Sequence, residues 1–190
     1  MLKIAIIIGS TRPGRKGEAV GKWVFEVAKK RTDAEFELID LKEVNLPFLD
    51  EPQPAGSGVY TQPHTKAWAA RVAPFDGFAF VTAEYNHAPP PALKTAIDFL
   101  YREWADKACG FVGYGGVGGA RAIEQLRASV SNLDLADVRT AVGFMEFTEF
   151  EKGVFKPGAH QEKSINQMLD QVIGWGGALK TYREQKAAKK

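Results

Sequence analysis

Short unbroken apolar runs alternate along this chain with longer stretches whose apolar residues recur at the spacing of one helix face. The first run, Lys3 to Ile8, is rich in β-branched residues, reads as a strand buried on both sides, and stops at Gly9. Val20, Trp23, Val24 and Val27 then fall at i, i+3, i+4 and i+7, which predicts an amphipathic helix. Glu35 to Leu41 alternates through Phe36 and Leu38, and less cleanly through Ile39 and Leu41, and predicts a second strand. Residues 45–63 carry Pro47, Pro52, Pro54 and Pro63 and an Ala-Gly-Ser-Gly stretch, the composition of a long loop. A short helix follows through Trp68 and Val72, then a third strand from Gly77 to Thr82. Leu93, Ala96, Ile97 and Leu100 predict a helix running on to Trp104, and Ala108 to Tyr114 a fourth strand. Ile123, Leu126, Val130 and Leu133 mark another helix, and Val138 to Phe147 a fifth strand. Ile165, Met168, Leu169, Val172 and Ile173 mark the last helix, before a Lys-rich tail.

Strands alternating with helices, with the strands apolar throughout, imply a parallel sheet covered by helices on both faces, an α/β three-layer sandwich. The 190 residues suit one domain, read here as 1–185 with a basic tail at 186–190. No internal repeat or linker interrupts it, so the 45–63 loop reads as a flap over the sheet. The single cysteine, Cys109, excludes an internal disulfide framework and a paired-cysteine zinc site, and its place in the fourth strand predicts a buried, inert thiol. A net charge of +2 argues against a nucleic-acid binder. No apolar run approaches the roughly 18 residues of a membrane span. The opening Met-Leu-Lys-Ile-Ala-Ile-Ile-Ile lacks a small-residue cleavage pattern after it, so the expectation is a cytoplasmic protein.

In open α/β sheets, ligands bind beyond the carboxyl ends of the strands, near the point where strand order reverses. The loop after the first strand is Gly9-Ser10-Thr11-Arg12-Pro13-Gly14-Arg15-Lys16-Gly17. Ser10 and Thr11 offer hydroxyls, Arg12, Arg15 and Lys16 offer charge, and Gly17 opens a helix whose first amides can receive an anion. The alternative is a solvated basic loop that caps a helix. Gly14 is not followed by the Lys-Ser/Thr of a nucleoside-triphosphatase loop, and the G-x-G-x-x-G fingerprint is absent here. That fingerprint occurs later, as Gly113 to Gly118, but Asp134 and Asp137 precede the fifth strand instead of ending it, so no ribose-binding acid accompanies it. The glycines there read as backbone that approaches a flat ligand, or as a tight turn. The loop after the third strand, Thr82 to Pro91, presents Glu84, Tyr85, Asn86 and His87 ahead of three prolines. Tyr85 suits stacking on a planar heterocycle and Asn86 suits its edge; packing of Tyr85 on the sheet edge and helix capping by His87 are the alternatives. A phosphate beyond the first strand and a flat ring between the other two loops describe a mononucleotide, and flavin mononucleotide (FMN) is the best chemical match. No metal set is evident.

The chain resembles the NAD(P)H-dependent FMN reductases of the flavodoxin-like fold, a group that includes azoreductases, quinone reductases and chromate reductases. Gly9-Ser10-x-Arg12 carries the resemblance, together with Glu84-Tyr85-Asn86-His87 and Pro89, then Leu93-Lys94-x-Ala96-Ile97-Asp98. Gly113 to Gly116 and Gly119 to Arg127 add to it. Family members commonly have Pro and Gly where this chain has Ala83 and Pro91, and Ser and Asn where it has Arg15 and Gly17. The resemblance implies strand order 2-1-3-4-5. It places the phosphate on Ser10, Arg12, Arg15 and Gly17, the ring against Glu84, Tyr85, Asn86 and His87, and the ring's other side on Gly115 and Gly116. It further implies a homodimer or homotetramer, and Phe99, Tyr101 and Trp104 make the preceding helix aromatic enough to suit an interface or, equally, a buried core.

The implied activity takes hydride from NADPH or NADH onto bound FMN and passes electrons to a small acceptor such as free flavin, a quinone or an azo compound. Because the cofactor carries that chemistry, no obligatory protein acid or base is expected. Two other readings are a flavodoxin-like electron carrier without NAD(P)H turnover, which the +2 charge disfavours, and a flavin-free interaction module.

Overall fold

The structure, a computed structural model, describes residues 1–189. Strands β1 (Leu2–Ile8), β2 (Ala34–Asp40), β3 (Gly77–Ala83), β4 (Lys107–Gly115) and β5 (Leu135–Met145) form a parallel sheet in the order β2-β1-β3-β4-β5. This is the flavodoxin-like order. Every residue of β3 is buried, as is all of β4 up to Tyr114, whereas β2 and β5 mix buried and exposed positions as edge strands do.

Alternation along each strand divides the core in two. Ala5, Ile7, Phe78 and Phe80 face α3 (Pro63–Val72), α4 (Pro91–Asp98) and α5 (Ala120–Ser131). Ile4, Ile6, Ala79 and Val81 face α1 (Gly17–Ala28) and α7 (His160–Ala188). Trp68 and Trp104 are nearly or fully sealed, and each indole N–H finds a carbonyl, Ala96 at 2.8 Å and Ile97 at 3.1 Å. Burying rings of this size contributes roughly 2–3 kcal/mol apiece while the polar edge stays satisfied.

Several elements differ from the sequence expectation. The helix after β3 ends at Asp98, and the chain then turns inward, so Phe99 and Trp104 are core residues with no exposed surface. They form no interface; only Tyr101 is partly exposed. Leu41 leaves the second strand and begins a short helix, α2 (Leu41–Val44), whose first turn is capped by the Asp40 carboxylate accepting from the Lys42 amide. After β5 come α6 (Glu146–Glu149) and a hairpin of β6 (Phe150–Glu151) and β7 (Val154–Phe155), none of them foreseen. The buried Glu149 ties this hairpin to α7 by accepting from Gln161 Nε2 at 2.9 Å. The last helix runs to Ala188 and takes the Lys-rich segment with it; Lys190 of the 186–190 tail lies outside the described residues. Cys109 is fully buried, and desolvation pushes its thiol well above the ordinary range.

Candidate functional site

Chain order reverses between β1 and β3, so the loops that follow them meet at the carboxyl edge of the sheet. The contact is direct: Ser10 Oγ and Tyr85 Oη share a hydrogen bond of 2.6 Å. Ser10 is completely buried and Tyr85 half-buried.

The first loop is built to receive an acceptor from outside. Helix α1 starts without a capping side chain. Among the described residues, the amides of Ser10, Thr11, Arg12 and Gly14 donate to no protein acceptor. Uncapped helix amides carry the positive end of the helix dipole, the recurring setting for a bound phosphate. Gly17 permits a close crossing here, since a Cβ on it would stand 2.4 Å from Tyr114 Oη. That hydroxyl is itself buried with no hydrogen-bond partner among the described residues, and burial, opposed by the nearby Ser10 hydroxyl and Gly17 amide, pushes its pKa up to about 12, so it remains a donor at neutral pH. An orphaned buried donor beside a row of free amides fits a phosphate ester.

The three cations of this loop behave differently. The exposed Arg12 side chain has no polar partner among the described residues. Arg15, expected at the phosphate, lines a cavity with Arg12 but spends its terminal nitrogens inside the protein: they donate to Asp40 at the end of β2 and to the Ser10 carbonyl at 2.6 Å, while Nε is buried without a partner among the described residues and the side chain is 5 % exposed. It braces the loop against β2. Lys16 forms an ion pair with Glu146.

The second loop is a tight hairpin. Tyr85 and Ala88 exchange backbone hydrogen bonds at 2.8 and 3.0 Å, with Asn86 at φ 51° and His87 at φ 70° between them. Two consecutive left-handed residues are what a two-residue primed turn demands, and Asn is among the residues that tolerate it best. Both side chains are exposed at the tip. Glu84 is fixed by Arg121 of α5, whose amide donates at 3.0 Å and whose Nε donates at 2.6 Å. Burial pushes the Glu84 carboxyl up, but these hydrogen bonds outweigh it and hold the group below its ordinary value. Arg121 also donates to His87 Nε2 at 2.7 Å, so one arginine pins both flanks of the turn.

Gly115 and Tyr85 line one cavity of about 270 Å³ with Arg12, Gly14, Lys16 and Glu146. Arg12 and Tyr85 also line a second, more apolar cavity of about 380 Å³ that reaches Leu46 and Phe48 on the 45–63 segment. Gly116 faces open space, and Thr11 lies on the second cavity. A third cavity, of about 410 Å³, lies off to the side between β2 and α3, and its basic side chains pair within the protein, Arg71 with Glu37 and His64 with Asp50. The two cavities that meet at Arg12 and Tyr85 therefore hold the unsatisfied donors, and together they offer a polar end for a phosphate and an apolar end for a ring.

Sequence reasoning overlooked Asp40, Tyr114, Arg121 and Glu146. Three of them had a signal: Tyr114 lies within the Gly113 to Gly116 stretch. Asp40 follows an apolar run and pairs in register with Ile8, at the mouth of the site. Arg121 lies within the Gly119 to Arg127 stretch already singled out.

The comparisons with known proteins agree with this chemistry. The sequence model of the family described as NADPH-dependent FMN reductase matches residues 2–149, from the start of β1 to the end of α6. An NAD(P)H-dependent FMN reductase of Schizosaccharomyces pombe is 44 % identical over 169 residues, 87 % of this chain and 84 % of the relative. A 2-hydroxy-1,4-benzoquinone reductase of Burkholderia sp is 27 % identical over 148 residues, 70 % of this chain and 73 % of the relative. The solved structure of FerB, a flavoenzyme NAD(P)H:(acceptor) oxidoreductase from Paracoccus denitrificans, shares the fold with a TM-score of 0.72 at 20 % identity, over 94 % of this chain and 98 % of that one. With its family model matched across the whole sheet and a close relative of the same description, this chain belongs to the NADPH-dependent FMN reductase family.

Proposed function

We propose that the chain binds FMN with its phosphate on the Ser10–Gly17 loop and its ring beside Tyr85, oxidises NADPH or NADH, and reduces a small planar acceptor of the quinone type. The observation that carries the placement is the convergence of free loop amides, the uncapped start of α1 and the orphaned Tyr114 hydroxyl on the cavity that Tyr85 also lines. Bound there, the flavin would supply the hydride- and electron-transfer chemistry that protein side chains lack. The protein positions. Arg12 and the amides of Ser10, Thr11, Gly14 and Gly17 hold the phosphate, with Lys16 close by. Glu84 fixes the turn, and the backbone of Tyr85, Asn86 and His87 presents the ring edge, with Gly115 and Gly116 leaving its far side clear. Arg15 braces the loop through Asp40.

The quinone class has two supports. The cavity beside Tyr85 is largely apolar, walled by Leu46, Phe48 and Pro90, and a relative 27 % identical to this chain is a 2-hydroxy-1,4-benzoquinone reductase. A homodimer or homotetramer in the cytoplasm completes the proposal. Phe48, on the apolar cavity, and Phe147, next to Glu146, are 84 % and 87 % exposed; Met145 lies two residues before Phe147 and the exposed Val117 two residues after Gly115, and together they make an apolar rim that a second subunit would cover. Among the described residues, no helix is long and apolar enough to cross a membrane.

The deciding measurement is quenching of flavin fluorescence on adding protein, followed by NADPH and NADH consumption with a benzoquinone present. Saturable quenching and quinone-dependent consumption are expected. Tight FMN binding with no pyridine-nucleotide oxidation would leave only the electron-carrier reading, and no binding would remove the site assignment.

A further inference from the structure

The segment that follows β5 reaches back over the phosphate side of the site. Glu146, the first residue of α6, lines the same cavity as Arg12, Gly14 and Lys16. Its carboxylate forms an ion pair with Lys16, while the Phe150 ring of β6 lies 4.8 Å from the same ammonium. With Arg15 held by Asp40, two of the loop's three cations already have carboxylate partners, and Arg12 is the cation left free among the described residues. A flavin phosphate entering this cavity would therefore find Lys16 engaged and a negative charge on the wall.

We infer that Glu146 sets how tightly the chain holds FMN: its carboxylate competes with the phosphate for Lys16 and so weakens the hold on the flavin. The inference rests on the FMN reading above and deepens it. The phosphate is a dianion near neutral pH, and a carboxylate facing it acts in two ways. It neutralises the nearest flexible cation, and it repels the ligand directly. Neither effect touches the ring, so the signature is a change in affinity for FMN that riboflavin, which lacks the phosphate, does not share. Glutamine at this position keeps a hydrogen-bonding partner for Lys16 and removes the charge. Glu146 is exposed, so the substitution leaves the core intact.

The test compares FMN and riboflavin binding to the full chain and to Glu146→Gln by fluorescence quenching at low salt, with Glu26→Gln as a control for net charge. Glu26 is an exposed carboxylate on α1 that pairs with Lys29. Removing one like charge at contact range in water should tighten FMN binding about fivefold and slow its release to match. The riboflavin constant should stay unchanged, and Glu26→Gln should move neither. The inference is overturned if Glu146→Gln binds FMN no tighter than the parent, or if riboflavin shifts equally. If the parent binds FMN and only the variant's gain is missing, the role of Glu146 falls and the FMN site stands; if neither protein binds FMN, both fall.

Discussion

At the amino end of the sheet, Asp76 is 5 % exposed and accepts from the Lys3 amide, Lys180 and Arg183, the last two reaching down from α7. Beside it the buried Lys107 donates to the Val72 and Ala73 carbonyls at 3.5 and 2.9 Å. At the carboxyl end, loop amides, the Tyr114 hydroxyl and the Arg12 guanidinium lack protein partners among the described residues. Both ends have polar groups near the sheet. At one end the chain satisfies them itself, and at the other it leaves donors for something else to satisfy. Because an unpaired buried polar group costs about 1–3 kcal/mol, donors left open in this way identify a ligand site better than the mere presence of charge does.

The contrast can be broken first at Asp76. Asp76→Ala would leave Lys180 and Arg183 facing each other without their shared carboxylate; because the two cations are 38 % and 23 % exposed and can turn to water, the loss should be about 2 kcal/mol, below that of a fully buried pair. Urea unfolding should show that loss while FMN affinity stays unchanged. A loss below about 1 kcal/mol would place Asp76 with ordinary surface carboxylates and erase the distinction.

Lys107 gives the next largest effect. Desolvation lowers its pKa from 10.5 to about 8. Between these values the unfolded chain binds the proton that the folded chain refuses, so stability rises with pH through this window, and the penalty is fully present below it. Lys107→Met should raise stability at pH 7 by about 1–2 kcal/mol and flatten the rise between pH 8 and 10.5. An unchanged slope in the variant would mean that Lys107 is better solvated than its burial indicates.

The sheet and the helices that cover it were legible from the sequence because continuous apolar strands and one-sided helices write a strong pattern; the ion pairs at its amino end were not. Phe78 and Phe80 alternate with Ala79 and Val81 in β3, and Leu93, Ala96 and Ile97 mark one face of α4. The hairpin after β5 was not legible. Its strands are too short for any periodicity to register, and its one cue is Lys152-Gly153, both at positive φ in a two-residue turn. Aromatic content left interface and core open at Phe99 and Trp104, because the two share that composition, and the structure selects the core. At the site, the residue types of the ligand-facing loops were readable, but the pairing of cations was not. Arg15 lies 25 positions from Asp40 and Lys16 lies 130 from Glu146, separations at which sequence alone gives no register.

Arg12 sharpens the comparison from the other side. Its side chain is exposed and unpaired among the described residues, so Arg12→Ala should leave the unfolding midpoint unchanged. A charge-assisted hydrogen bond to the phosphate is worth about 1.5 kcal/mol, so FMN should bind roughly tenfold more weakly while riboflavin binds as before. Equal losses for both ligands would move Arg12 from the phosphate to the ring.

The smallest effect is expected at the bond that joins the two site loops. Tyr85→Phe removes the partner of the buried Ser10 hydroxyl and keeps the aromatic face. Leaving that hydroxyl unsatisfied costs about 1 kcal/mol of stability. Since the bond fixes the distance between the phosphate loop and the ring loop, its loss should weaken FMN, which spans both, by about two- to fivefold at the same energy scale, and riboflavin, which reaches only the ring loop, less. Stability separates this role from that of Arg12: losing a bond between the two loops lowers the unfolding midpoint, whereas losing an exposed phosphate contact leaves the midpoint where it was. If Tyr85→Phe weakens FMN with no loss of stability, the Tyr85 hydroxyl belongs with the open donors of the carboxyl end, and Ser10 does not depend on it.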